Sequence, residues 1–206
     1  MIEESAKGLS AHALLAKDPT EYVAILRDVF VNKEEEQDPN PSEETLTRAR
    51  LSYRLLKSFH NIPGETDGII DERILHAWIA DVRRLAAESG RGDIADEFVG
   101  QLLAHSKPDL GNEAWPLPEV ASVIEKIASD IMERGIEIER YNMRGAYSKA
   151  FNEGGEQEQD IASRYRGWAK RATSPRTAAM LERIAEGWDE SAKRADIAAQ
   201  QRKLKR

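Results

Sequence analysis

Four histidines, His12, His60, His76 and His105, are the natural places to look for acid–base or metal chemistry in this 206-residue chain, and they are scattered. Glu72 and His76 stand one helical turn apart and can share a face, yet a di-metal bundle needs a second Glu/His pair, and the sequence has none. There is no His-Glu-x-x-His run and no cysteine, so the usual zinc ligand sets are missing. No Gly-x-Ser-x-Gly elbow occurs either. Ser148, the nearest loop serine, has no histidine close in sequence to act as its base. The acids Glu153, Glu156, Glu158 and Asp160 have the chemistry to hold a cation or exchange protons, but carboxylates at a helix start are already explained by its positive end. No catalytic, metal or cofactor-binding residue is assigned, and no cofactor is expected.

What remains is the stretch from Gly135 to Ala172, where glycines, aromatics and charges fall together between helical regions. Arg140, Tyr141, Asn142, Arg144, Gly154, Gly155 and Glu158 form its candidate ligand or interaction loop. In one reading, Arg140, Tyr141, Asn142 and Arg144 face a groove and the amides at Gly154-Gly155 help bind an anionic or peptide ligand. In the other, Arg144 pairs with carboxylates of the next helix while Tyr141, Tyr147 and Phe151 close the end of a helical core. The second is favoured, because Gly154-Gly155 has neither the Lys-Ser/Thr of a phosphate loop nor a preceding strand.

A basic surface is the other candidate: Arg164, Arg166, Lys170, Arg171 and Arg176, continued by Arg202, Lys203, Lys205 and Arg206. Tyr165 and Trp168 interleave with these cations as a nucleic-acid stacking platform would, but at helical spacing both fall on the buried stripe. From Asp160 to Arg206 there are 12 Lys/Arg against 6 Asp/Glu, a balance of +6 that leaves −13 for the remainder of a chain with net charge −7. An acidic body would repel a polyanion and suits self-association or a protein partner better.

The elements that must position these residues are helices. Charged residues make up 33% of the chain and aromatics 6%, and no run of alternating β-branched residues reads as a sheet. The expectation is an all-α, irregular bundle of eight or nine helices in two halves: 1–106, a Pro-rich crossing at 107–118, and 119–206. A short helix is expected over 10–16. Asp18-Pro19-Thr20-Glu21 starts the next, which Phe30 ends. Residues 31–44 read as a flexible acidic loop. Ser42 starts a helix reaching Phe59 with Leu46, Tyr53, Leu55, Leu56 and Phe59 on its apolar face. Asn61 to Asp71 holds the turn dipeptides Pro63-Gly64 and Asp67-Gly68.

A helix from Asp71 carries Ile74, Leu75, Trp78, Ile79, Val82 and Leu85 and stops at Gly90 and Gly92, after which Asp93 caps another ending near His105. Trp115 plugs a gap between packed helices. From Pro118 a single helix with Val120, Val123, Ile124, Ile127 and Ile131 runs to a glycine cap at Gly135, opening a Gly-rich loop 135–155 in which Ile136 and Ile138 read as extended. The helix beginning near Glu156 and the one beginning at Ser174-Pro175 form an antiparallel C-terminal hairpin, with a fraying basic tail.

The runs AKDPTEYVAILRDVF, RARLSYRLLKSFHNIPG, DERILHAWIADVRRLAAESGR, YNMRG and EGGEQEQDIASRYRGWA resemble the carboxy-terminal helical region of long bacterial proteins of uncharacterised function. The similarity runs from about Ala13 to about Ala195. It implies a helical module that works beside other domains in a bacterial stress or defence system, and it carries over no active-site residue. With no cysteine, no signal-like start and no apolar run of membrane length, the expected location is the cytoplasm, off the membrane. The expected function is a non-catalytic protein–protein interaction or scaffolding module. The alternatives are a nucleic-acid-associated protein using the basic C-terminal helices and an enzyme with its site at the 140–158 loop.

Overall fold

A computed structural model describes residues 11–32, 38–109, 111 and 114–204. The acidic run at 33–37 and the terminal Lys205 and Arg206, on which parts of the expectations above rest, lie outside the described residues. Nine helices occur among those described: α1 over 11–17, α2 Pro19–Val29, α3 Glu43–Ser58, α4 Glu72–Glu88, α5 Gly92–Ala104, α6 Pro118–Ile127, α7 Asp130–Asn142, α8 Glu156–Arg171 and α9 Pro175–Leu204. The all-α class is as expected. No helix among the described residues is long and apolar enough to cross a membrane.

The chain divides into two compact units, one of residues 1–106 and 129–136, the other of 107–128 and 137–206. In the first, α2 packs on α3, α4 and α5, and α4 on α5. Asp18 and Ser42 cap α2 and α3 by accepting from the amides of Thr20 and Thr45, so the two start signals read from the sequence have their expected geometry. Tyr22 lies edge-on to Trp78 at 4.9 Å, and the Trp78 indole donates to the Leu15 carbonyl at 3.0 Å, which satisfies a buried polar group. Between α3 and α4 the only strands among the described residues, β1 Glu65–Thr66 and β2 Ile69–Ile70, form a minimal antiparallel hairpin. Asp67 and Gly68 both have positive φ, the backbone a two-residue hairpin turn requires.

Three expectations about α3, α4 and α5 are corrected. Tyr53 is exposed and Ser52 takes the buried position on α3, its hydroxyl donating to Asp28 at 3.1 Å. Ile74 is likewise exposed on α4. Asp93 does not cap α5, which starts one residue earlier behind Arg91; that buried side chain instead donates to the carbonyls of Phe30 and Ser89, both at 2.6 Å.

The largest correction concerns Gly135. It ends no helix: Ile136 and Ile138, read as extended, lie inside α7. The break falls earlier, where Ala128 closes α6 in a left-handed conformation and the Ser129 hydroxyl accepts from the Met132 amide to open α7. Gly135 serves the crossing of α7 with α5. A side chain there would strike the carbonyl of Glu97, and one at Gly100 would strike that of Met132, so the two backbones touch where both residues are glycine. Asp96 stands beside this crossing, accepting from Arg83 at 2.8 Å and from Ser129 at 2.6 Å.

In the second unit α8 and α9 form the antiparallel hairpin, with α6 against α9. Met180, Leu181, Ile184, Ala185, Trp188 and Ala192 supply the inner stripe of α9, and Ala162, Tyr165 and Ala169 that of α8. The tail does not fray where it is described. Residues through Leu204 remain helical, and Arg202 lies over the Phe151 ring at 5.7 Å.

Candidate functional site

Two helix ends and one loop build the candidate site, all in the second unit. Because α7 continues to Asn142, the glycine-broken segment shrinks to 143–155. It opens with a turn in which Arg144 and Gly145 donate to the carbonyls of Tyr141 and Asn142 at 3.2 Å.

Glu158, in the first turn of α8, organises the loop. The residue is 2% exposed, and its carboxylate receives Arg144 on one oxygen and Lys149 on the other, each at 2.5 Å. Burial alone would raise its pKa, but the hydrogen bonds from Lys149 and Arg144 outweigh that and hold the carboxyl below the ordinary glutamate range. Lys149 also donates to the Gly154 carbonyl at 2.7 Å, and Arg144 to Gln157 at 3.2 Å. Gln157 in turn bonds the Ser148 carbonyl and Glu153, whose other oxygen accepts from the Ala150 amide. The pairing of Arg144 with a carboxylate of the next helix is therefore present, with Lys149 as a partner that sequence spacing did not single out.

Of the amides at Gly154-Gly155, one basis for an anion site, that of Gly155 is already engaged. Asp196 of α9 accepts from the Gly155 amide at 2.7 Å, and a Cβ on Gly155 would come within 2.5 Å of the Ala192 carbonyl oxygen. The glycines here permit close approach of the loop to α9, and the chain supplies its own anion to the start of α8.

The aromatic residues divide. Tyr141 stacks on Trp188 at 4.4 Å and meets Ser191 at 3.1 Å; because Ser191 donates to the Gly187 carbonyl, Tyr141 is the donor. Tyr147 and Phe151, expected to close the core, are instead 58% and 56% exposed. Tyr147 carries the Arg144 guanidinium 3.4 Å above its ring.

Arg140 lies over Trp115 at 4.3 Å and donates from Nε to the Tyr165 hydroxyl at 2.8 Å. Trp115 is buried, as a gap-filling residue should be. Beside Arg140, a cleft of about 190 Å³ is lined by Arg144, Met143, Ile161, Arg164, Tyr165, Trp168 and Trp188. A second cleft, of about 440 Å³, is lined by Trp115, Pro116, Pro118 and Trp168, with Arg171 and Thr177.

The basic candidates thus do not form one face. Arg164 joins the first cleft and Arg171 the second, while Arg166 turns to Asp189 and Glu182 of α9. The Arg176 amide donates to Glu125 at 3.0 Å, and Lys170 is exposed. Tyr165 is buried in the stripe that sequence spacing assigned to it. A stacking platform for nucleic acid needs those rings presented, and Arg166 would have to leave two carboxylates to meet a phosphate.

In the first unit, a serine–histidine contact joins His12 and Ser58 at 3.0 Å. Ser58 gives its proton to the Leu55 carbonyl, so His12 is the donor and no base faces a free hydroxyl. Burial, with a smaller contribution from His60, lowers the His12 pKa. Glu72 and His76 do share a helix face, 3.5 Å apart.

Comparison with family models, curated proteins and solved structures finds no match to this chain.

Proposed function

We propose that this chain is a non-catalytic helical protein–protein interaction module and that residues 141–151, at the end of α7 and in the clasped loop, are its docking element. One observation carries this reading. Tyr147 and Phe151, both more than half exposed, project from a loop whose frame is fixed by the doubly bound Glu158 carboxylate. Aromatic, Met and Arg residues are the types enriched at protein interfaces, and Tyr141, Met143, Arg144, Tyr147 and Phe151 fall within this short segment. Fixing the loop in advance removes much of the ordering entropy that docking would otherwise cost. An enzyme reading of the 140–158 loop has less support, since the polar groups that converge there satisfy one another.

The protein should associate, with itself or with a partner, through these rings. Sedimentation velocity and affinity capture with the wild-type chain and a Tyr147→Ala/Phe151→Ala variant test this. Association should weaken at least tenfold in the variant while helicity and melting temperature are unchanged. A variant that associates as the wild type does would refute the proposal, as would a wild-type chain that binds nothing.

A further inference from the structure

We infer that the cleft lined by Arg140, Arg144 and Arg164 binds the phosphoryl group of a small phosphate monoester, with its apolar walls covering the organic part. The inference does not rest on the interaction module proposed above.

Charge identifies the occupant. Glu158 is one carboxylate shared by two cations, Arg144 and Lys149, and so leaves that cluster with an excess of about one positive charge. Arg164 adds another. It is exposed, has no ion pair among the described residues and reaches the same cleft. None of the described lining residues is acidic. A cleft lined by the three guanidinium groups of Arg140, Arg144 and Arg164 and by no carboxylate suits a phosphate monoester, which carries about −1.5 to −2 charges at neutral pH, better than a monoanionic carboxylate.

Geometry agrees. Guanidinium forks suit phosphate oxygens; Arg164 can turn its whole fork to the phosphoryl group, while Arg144, engaged with Glu158 and Gln157, adds its remaining N–H groups and its charge from a different element. The other walls, Met143, Ile161, Trp168 and Trp188, are apolar or aromatic. At about 190 Å³ the cleft is below the roughly 300–1,000 Å³ usual for drug-sized or cofactor ligands, which limits the occupant to a small ester.

Phenyl phosphate is the test probe, titrated calorimetrically at constant ionic strength against inorganic phosphate, benzoate and phenol. Phenyl phosphate should bind with a dissociation constant in the micromolar to low millimolar range, inorganic phosphate more weakly at the same site, and benzoate and phenol at least tenfold more weakly than phenyl phosphate. Binding should also weaken below about pH 6 as the dianionic monoester takes up a proton and becomes a monoanion. Arg164→Ala removes one exposed fork without touching the clasp and should weaken binding about tenfold or more. Lys170→Ala, an exposed cation outside the cleft, should leave it unchanged. Failure of phenyl phosphate to bind at 10-millimolar concentration on the order used for weak ligands, equal binding of benzoate or phenol, or equal losses in the Arg164→Ala and Lys170→Ala variants would each overturn the assignment.

Discussion

The two units solve the same problem, fixing a segment against its neighbours, by opposite means. In the first, α5 and α7 meet through bare backbone because Gly100 and Gly135 leave room. In the second, the loop between α7 and α8 is held by charge, with Arg144 and Lys149 closing on a buried Glu158. The glycine crossing depends on volume, so it tolerates changes of medium but not the addition of a side chain. The charged clasp tolerates neighbouring bulk but depends on one ionised carboxylate. A module that must present a fixed loop has reason to use the second device, since hydrogen-bonded charges specify an orientation that apolar packing leaves looser.

The comparison can be broken most severely at Gly135. Replacing it with Leu forces a side chain into the Glu97 carbonyl, and urea denaturation should show a loss of about 3 kcal/mol or more, the upper range for overpacking. Unchanged stability would mean the backbones are not in contact.

Glu158→Ala comes next. It strands two largely buried cations, and removing one partner of such a cluster costs about 3–5 kcal/mol. Thermal unfolding measured by circular dichroism should register it, and Glu158→Gln, which keeps a hydrogen-bond acceptor, should lose less.

Acid sharpens the contrast. With its folded-state pKa held below the ordinary glutamate range, Glu158 contributes stability that is fully present above the unfolded value, about 4.3, and is lost as the pH falls through the folded-state value. Between pH 5 and 2 the wild type should therefore lose more stability than Glu158→Gln, measured by denaturant titration at each pH. Parallel curves would contradict the clasp.

The smallest effect is expected at Asp196, whose carboxylate serves the first turn of α8 from outside the helix. Asp196→Ala should cost about 1 kcal/mol, as loss of a helix cap does. It should also speed amide exchange at Gly155.

Helix class, the caps at Asp18 and Ser42, the Asp67-Gly68 turn and the C-terminal hairpin were legible because each depends on local chemistry written in neighbouring residues. Arg144 pairing with the following helix was legible for the same reason: complementary charges sit close in sequence. Gly135 was misread because a glycine at a helix end and one at a helix crossing look alike in one dimension; only the position of Gly100 on a distant helix separates them. The signal that marks the true break was present in Ser129-Asp130, a start motif passed over because Ala128 gave no matching stop. Lys149, nearer still to Glu158, carried the same signature and was passed over, whereas Asp196, 41 residues from Gly155, had none. The gathering of Arg140, Arg144 and Arg164 into one cleft was illegible too, since it depends on how α7 and α8 face each other.

Hydrogen exchange across residues 145–155 in wild type and Glu158→Ala tests the central claim, that one buried carboxylate holds the loop in its presenting form. The amides of Ala150, Glu153 and Gly155, each hydrogen-bonded in the clasped loop, should be protected in the wild type and exchange about a hundredfold faster in the variant, while residues 180–188 of α9 keep their protection. Equal exchange of those three amides in both proteins would show that the loop is held by something other than Glu158.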